Sequence, residues 1–343
     1  MSARVLGWDV GGAHLKLALA EGNRIVAARQ LPCALWQGLD KLREAIATGL
    51  DGLPDAGRHA VTMTGELTDL FPDRASGVAA ILDLLAEVGG GGALTVYGTD
   101  GSFLTVDSAK AAPDRIGSAN WHATAHWLAR AIGDGLLLDI GSTTTDIVPF
   151  IAGAVVARGM TDVDRLASGE LVYTGIARTP LMAVAQRVPF EGRELGVMAE
   201  YFATAADAHR LAGTLPEGAD LHPAADGRGK SPAESRARLA RMIGMDAAAA
   251  ADDAWQRLAE AFIRRQTAQI EAAVEGVLAA VDLASAAPVI GAGTGRFLAA
   301  EIARCLGRPY RSFESAVAVP PSLAALVADI APAAAVALLR SSA

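Results

Sequence analysis

Val5-Leu6-Gly7-Trp8-Asp9-Val10-Gly11-Gly12-Ala13-His14-Leu15-Lys16-Leu17-Ala18-Leu19 and Leu136-Leu137-Leu138-Asp139-Ile140-Gly141-Ser142-Thr143-Thr144-Thr145-Asp146-Ile147-Val148 repeat one pattern. In each, an apolar run ends at an Asp, one apolar residue and a Gly follow, small or polar residues intervene, and a second apolar run begins. Short apolar runs flanking glycine predict the two strands of a hairpin. Glycine lets the chain turn tightly and lets a ligand approach the backbone amides. Asp9 and Asp139 fall where the first strand of each pair ends, so both carboxyls are expected at a sheet edge facing a cleft. Turn amides form anion-binding nests, and a hard divalent cation takes oxygen ligands while keeping some of its waters. Two such turns facing each other predict a metal–diphosphate site between two related domains. Asp9 and Asp139 are then the metal ligands, magnesium the expected cofactor, and Gly11, Gly12 and Gly141 the phosphate-binding turns. Ser142, Thr143, Thr144 and Thr145 add four hydroxyls in a row; in an extended strand alternate members face opposite sides, so two of the four are expected as ligands.

The 343 residues suffice for two domains with sizeable cores. The chain is 52% hydrophobic, largely through alanine, which reads as helix former. No uncharged apolar stretch reaches the roughly 18 residues of a membrane span. The N-terminus lacks a basic region followed by an apolar core and cleavage site, so no secretory signal is expected. Cys33 and Cys305 form no framework, which makes a reducing cytoplasm the expected compartment. A net charge of −8 argues against a nucleic-acid partner, which needs a basic face. Small-molecule partners are expected, and a homo-oligomer is left open.

Along the chain, strands and helices alternate up to about residue 133, with helices at 40–50, 75–88 and 118–132. Ser118 is the expected cap of the last, and the glycine run 89–92 ends the second. The pattern restarts at 134. A mainly helical insertion is expected over about 162–282, holding a Gly-, Pro- and charge-rich loop at 216–232 and a long helix at 247–283. A strand at 288–290 leads into Gly291-Ala292-Gly293-Thr294-Gly295, and a closing helix spans 322–339. The expected domains are residues 1–133 and 134–343.

Further candidates admit two readings each. Lys16 sits on a strand among apolar residues, as a solvated edge lysine or a site cation. Glu66 follows Thr64-Gly65 at a strand end, either favoured by a helix dipole or acting as metal ligand or general base. Arg228 and Lys230 lie in Gly227-Arg228-Gly229-Lys230-Ser231. That string is no P-loop, because position 224 is Ala and no strand precedes it. It is a solvated loop, or one that folds over a diphosphate, Arg as a fork and Lys as a point charge. Arg178 is another candidate cation. His122 and His126 have zinc-pair spacing, but Ala123 stands where a zincin needs Glu, so packed or surface histidines are expected. Gly291 and Gly293 belong to a turn lacking the last glycine of a dinucleotide fingerprint.

Taken in order, the Asp9, Asp139 and Gly291–Gly295 marks resemble the actin, sugar-kinase and Hsp70 superfamily, an α/β, two-domain actin-like (ribonuclease H-like) fold. The string from Asp139 to Ile147 looks like its hydantoinase/oxoprolinase branch. Met63-Thr64-Gly65-Glu66-Leu67, Ser118-Ala119-Asn120-Trp121, Tyr173-Thr174-Gly175-Ile176-Ala177-Arg178-Thr179-Pro180, Ala225-Asp226-Gly227-Arg228-Gly229-Lys230-Ser231 and Ala240-Arg241-Met242-Ile243-Gly244-Met245-Asp246 resemble one family within it. That family is the tetrahydromethanopterin-linked one-carbon-transfer pathway proteins, which include an enzyme of methanofuran biosynthesis. The resemblance implies a transferase joining an aminomethylfuran diphosphate to a tyramine-type phenol such as γ-glutamyltyramine, with release of pyrophosphate. Asp9, Lys16, Glu66 and Asp139 are then the catalytic candidates, with Glu66 or Asp139 as base. Gly11, Gly12, Gly141, Ser142, Thr143, Thr144, Arg178, Arg228, Lys230, Ser231, Gly291 and Gly293 are the substrate-binding ones. ATP is not expected as a substrate, since the diphosphate is its own leaving group. Two rival expectations are an ATP-dependent small-molecule kinase or amidohydrolase of the same fold, and a nucleotide-sensing protein without turnover.

Overall fold

The repeated pattern folds as two repeated sheets in a computed structural model that describes residues 4–89 and 91–342. Gly90, within the glycine run expected to end the second helix, lies outside the described residues. In chain order the first half comprises β1 (Arg4–Val10), β2 (His14–Glu21), β3 (Arg24–Pro32), α1 (Leu39–Leu50), β4 (Arg58–Met63), α2 (Arg74–Val88), β5 (Ala93–Tyr97), β6 (Phe103–Leu104), α3 (Val106–Lys110) and α4 (Asn120–Ile132). The second half begins with β7 (Gly135–Ile140), β8 (Thr145–Ile151), β9 (Ala154–Val155), α5 (Asp162–Ser168) and β10 (Leu171–Val172). It continues through α6 (Leu181–Val184), β11 (Arg187–Phe190), β12 (Arg193–Gly196), α7 (Ala205–Leu211), α8 (Pro232–Arg241) and α9 (Asp252–Ala279). β13 (Val289–Ala292), α10 (Arg296–Cys305), β14 (Tyr310–Ser312), α11 (Pro321–Asp329) and α12 (Ala331–Ser341) close the chain.

The sheets run β3-β2-β1-β4-β5-β6 and β10-β8-β7-β13-β14, with β9 on the edge of β8. β1 pairs antiparallel with β2 and parallel with β4, as β7 pairs antiparallel with β8 and parallel with β13. This duplicated α/β arrangement is the two-domain actin-like fold. Ligands of such sheets bind beyond the carboxyl ends of the parallel strands, where β1 and β7 end at Val10 and Ile140.

Two helices tie the sheets together. α12 is buried from Ala331 to Leu339 and packs on β1, β2 and β4, while α4 packs on α12 and on β7, β8 and β9. A Cβ on Gly7 would stand 2.1 Å from the Ala333 carbonyl oxygen and 2.8 Å from Ala337 Cβ. Glycine in the strand and alanine in the helix therefore allow an approach that larger side chains forbid.

Several expected boundaries change. Ser118 is not the cap of α4, because its φ of 53° and its hydroxyl are committed elsewhere; Ala119 holds the cap position with no side-chain bond. The helix expected at 247–283 is one turn at Ala247–Ala249 followed by the unbroken α9. The closing helix is two, α11 and α12, bent by 106° at Ile330. The 162–282 segment is mainly helical but carries the β11–β12 hairpin. His122 and His126 both turn Nδ1 to the Tyr97 hydroxyl, at 2.9 and 2.8 Å, in a packed cluster. No single helix among the described residues is long and apolar enough to cross a membrane.

Candidate active site

The two hairpin turns close in the same way. Gly11 N–H donates to the His14 carbonyl at 3.0 Å, and Gly141 N–H to the Thr144 carbonyl at 2.9 Å. One register step behind each turn the strand-end carboxylate meets its cross-strand neighbour: Asp9 faces Lys16, and Asp139 faces Asp146. Between the turns lies a cleft of about 590 Å³, lined on the first side by Gly11, Gly12, His14, Lys16 and Thr64 and on the second by Asp139, Gly141, Ser142, Thr143 and Thr144.

The segment after β10 straps the second turn in place. Ile176 N–H donates to the Gly141 carbonyl, and Ala177 and Arg178 N–H to that of Ser142. Gly175 makes this possible, since a Cβ there would stand 2.4 Å from Thr143 N. The strap delivers Arg178 to the cleft, its guanidinium 3.4 Å from Thr143 Oγ1 and 5.0 Å from the centre of the Trp36 ring.

Lys16 Nζ donates to Asp9 Oδ2 at 3.1 Å, and the lysine side chain is partly open to the cleft. Burial opposes its charge, but Asp9 and then Asp139 outweigh that and hold the ammonium above its ordinary range. Asp9 is buried and its Oδ1 has no partner. Burial, reinforced by Asp146 and Asp9 and opposed by Lys16, pushes the Asp139 carboxyl up to about 7. Asp146 pairs with the buried Arg165 at 2.8 Å, and Arg165 stacks 3.9 Å over the Trp121 ring. His14 is pushed down to about 3, first by burial and then by Lys16 and its neighbours, so its imidazole is neutral.

Glu66 lies behind this wall. Ser118 Oγ sits 3.2 Å from Glu66 Oε1 and 3.0 Å from Asp162 Oδ2, and Arg74 reaches Asp162 at 2.7 Å. Burial, partly offset by its own backbone N–H and Arg74, lifts Glu66 to about 7. Ser118 and Asp162 line the cleft; Glu66 does not.

The structure thus gathers Gly11, Gly12, Lys16, Asp139, Gly141, Ser142, Thr143, Thr144 and Arg178 along one cleft, with Asp9 directly beneath Lys16. Gly291 and Gly293 back the site without lining it. A Cβ on Gly291 would meet the Tyr310 hydroxyl at 2.5 Å, and one on Gly293 would meet Asp139 Oδ1 at 2.5 Å. Arg228, Lys230 and Ser231 also lie outside the lining. Lys230 pairs with Asp220 at 3.1 Å, and Ser231 caps α8 in a reciprocal box with Glu234. Sequence reasoning did not single out Asp146, Asp162, Arg165 or Trp121. Asp146 carried a positional signal, its place opposite Asp139 matching that of Lys16 opposite Asp9, and Trp121 lay in the string Ser118-Ala119-Asn120-Trp121 without being assigned a role. Among the described residues, no three His, Cys, Asp or Glu side chains converge as a ready metal cage.

A duplicated hairpin fold with two glycine turns facing one cleft and buried carboxylates at their base is the actin-like arrangement. Within it, the hydantoinase/oxoprolinase family model matches residues 58–334, and the chain belongs to that family. A (4-{4-[2-(gamma-L-glutamylamino)ethyl]phenoxymethyl}furan-2-yl)methanamine synthase from Methanocaldococcus jannaschii is 33% identical over 254 residues, 74% of this chain and 75% of that protein. A synthase of the same name from Methanococcus vannielii is 36% identical over 107 residues, 31% of this chain and 46% of that protein. Acetone carboxylase in its nucleotide-free structure superposes with a TM-score of 0.57 at 10% identity, over 96% of this chain and 70% of that one, a likeness of fold.

Proposed function

We propose that this chain is a transferase of methanofuran-type cofactor biosynthesis that joins an aminomethylfuran diphosphate to a tyramine-type phenol. The phenol oxygen forms a C–O bond to the methylene carbon as the methylene–diphosphate C–O bond breaks. Pyrophosphate leaves with the bonding pair, and the phenolic proton passes to a carboxylate. The observation that carries the reading is the cleft between two equivalent amide-lined turns, with Lys16 and Arg178 on its walls, together with relatives whose names describe a phenoxymethylfuran ether.

An ordinary phenol is mostly protonated at neutral pH, so a positioned base accelerates attack. Of the two carboxyls considered, Asp139 lines the cleft and Glu66 stands behind Ser118, which favours Asp139. The Gly12 amide, the hydroxyls of Ser142 and Thr143, and the Arg178 fork are the groups suited to a diphosphate, while the Gly11 and Gly141 amides close the turns that present them. Asp9 and Asp139 would hold magnesium, a fit supported by the unpartnered Asp9 Oδ1. The cation supplies neutralisation of charge on the leaving pyrophosphate. A carboxylate has two oxygens, so metal contact through one leaves the other for the proton. A lid role for residues 227–231 would require release of the Lys230–Asp220 pair and of the Ser231 cap.

Incubation of the purified protein with the furan diphosphate and tyramine or γ-glutamyltyramine, with and without ATP, tests this by mass spectrometry. Ether and pyrophosphate in equal amounts without ATP are expected. Ether formed only with ATP, and ATP consumed in step, would replace this reading with the ATP-dependent one.

A further inference from the structure

Two short segments on the walls of the cleft are inside out. In the turn Gly65–Leu67, Glu66 is 0% exposed and its neighbour Leu67 is 53% exposed. In α5, Arg165 is 1% exposed, whereas Leu166 is 51% and Val163 75% exposed. A surface helix ordinarily buries its apolar residues and exposes its charges. Here polar pins do the reverse. Arg165 is drawn inward by Asp146, by the Glu170 carbonyl at 2.9 Å and by the Trp121 ring. Asp162 at the head of α5 is held by Arg74 and Ser118, and Ser118 also joins Glu66. One polar network therefore fixes both walls and turns their leucines outward.

The leucines are turned toward the same place. Leu67 and Leu166 both line the cleft, as do Trp36 and Tyr173, two more of the chain's exposed large apolar side chains. The cleft thus has a polar floor, made by the glycine turns, Lys16 and Asp139, and an apolar, partly aromatic mouth. Exposed apolar groups concentrated at one site mark a binding surface, and a ligand that matches this one is charged or polar at its inner end and flat and apolar at its outer end.

We propose that the mouth formed by Leu67, Leu166, Trp36 and Tyr173 is the subsite for the aromatic ring of the phenolic acceptor, and that it sets specificity for an aryl alcohol. This rests on the transferase reading above and locates its second substrate. The diphosphate donor occupies the floor, where the cations and amides are. The acceptor must then present its hydroxyl inward to the methylene carbon, leaving its ring between the leucine walls. A seated ring also covers the reacting carbon, which limits capture by water.

The test uses Leu166→Asn, Leu67→Asn and Tyr173→Ala, all at exposed positions where folding is little affected, with Tyr173→Phe as the conservative control. The expected result is a KM for tyramine raised about tenfold in each of the first three, a KM for the furan diphosphate unchanged, and near-complete rescue in Tyr173→Phe. Equilibrium dialysis of tyramine and γ-glutamyltyramine against wild type and Leu166→Asn, without the diphosphate, gives a readout independent of turnover; weaker binding by the variant is expected. A change in the donor KM alone would assign the mouth to the furan ring and overturn the proposal. Wild-type dimers that dissociate in Leu166→Asn would make it an interface between copies and overturn it equally. Unaltered phenol binding and kinetics in every variant would remove the subsite while leaving the transferase reading intact. Wild type that binds the phenols but makes no ether would instead overturn the transferase reading.

Discussion

Lys16 and Asp146 hold the same place in two copies of one hairpin. Each stands directly across the ladder from a strand-end aspartate, Lys16 from Asp9 and Asp146 from Asp139. The copies keep the aspartate and reverse the sign of its neighbour. Asp9 is consequently paired at 3.1 Å. Asp139 faces a like charge, and burial and that charge together raise it to about 7. Two halves that match in backbone thus differ in electrostatics, which gives one carboxyl a fixed partner and leaves the other adjustable.

Removing Lys16 leaves Asp9 buried with neither oxygen paired. Lys16→Met is expected to destabilise the fold by about 3 kcal/mol, the usual order for breaking one side of a buried pair. Adding Asp9→Asn removes the stranded charge, so the double variant should be more stable than Lys16→Met alone. Urea titration of the two singles and the double measures the coupling; strict additivity would mean that the pair contributes nothing.

Asp9→Asn and Asp139→Asn should each weaken the magnesium response of ether formation while leaving the far-ultraviolet circular dichroism intact. Asp139→Asn should also reduce kcat by about 100-fold or more, the range lost with a general base. Wild-type activity and metal dependence in both variants would move the cation elsewhere.

Glu66 makes a prediction about stability and pH. Its carboxyl is lifted from 4.5 to about 7 in the fold, so the native state binds the proton more tightly than the unfolded chain. Between those values the folded state holds more protons, and stability falls as pH rises. Below about 4.5 both states are protonated and the effect vanishes; above about 7 the full penalty remains, on the order of 3 kcal/mol. Glu66→Gln removes this term, so its stability relative to wild type should rise from pH 4.5 to pH 8. A flat difference across that interval would show that Glu66 titrates normally.

The fold was legible where chemistry is local. Asp9-Val10-Gly11 and Asp139-Ile140-Gly141 carry turn, strand end and carboxylate within a few residues, so both hairpins and the cleft between them followed from the sequence. What escaped depends on distant partners. Nothing near Arg165 in the sequence indicates its partner, since only β8 brings Asp146 to it, and nothing local indicates that Leu166 stands outward beside that pair. Ser118 has the right residue type for a cap, but Glu66 and Asp162, 52 and 44 positions away, claim its hydroxyl.

Arg178 and Lys230 separate by the same logic of prior commitment. Arg178 lines the cleft beside the Trp36 ring, with a long contact to Thr143 and no carboxylate partner among the described residues; Lys230 is held by the Asp220 carboxylate and carbonyl. Arg178→Ala should raise the KM for the furan diphosphate about tenfold or more, as expected for loss of a charge-assisted clamp, and Lys230→Ala should leave it nearly unchanged. A large effect at Lys230, with diphosphate-dependent protection of residues 227–231 in hydrogen exchange, would instead make that loop a lid.

Gly293 provides the sharpest steric test of how the site is held. It follows β13, whose last residue Ala292 pairs with Asp139, and its φ of +77° is one that side chains rarely adopt. An added Cβ would stand 2.3 Å from the Ile140 carbonyl oxygen and 2.5 Å from Asp139 Oδ1, so the carboxyl or the turn must move. The nearest atom is the Ile140 backbone oxygen, which Gly295 N–H holds at 2.8 Å, so the Ile140 turn must shift and carries the adjacent Asp139 carboxyl with it. Displacement by about 1 Å costs on the order of 100-fold in rate when geometry is preorganised. Gly293→Ala is therefore expected to lower kcat to a degree approaching Asp139→Asn, with little change in either KM, because this turn does not line the cleft. The two substitutions combined should be no worse in kcat than Asp139→Asn alone. A raised KM for the phenol or the furan with kcat preserved would show instead that the Gly291–Gly295 turn contacts the organic part of a substrate.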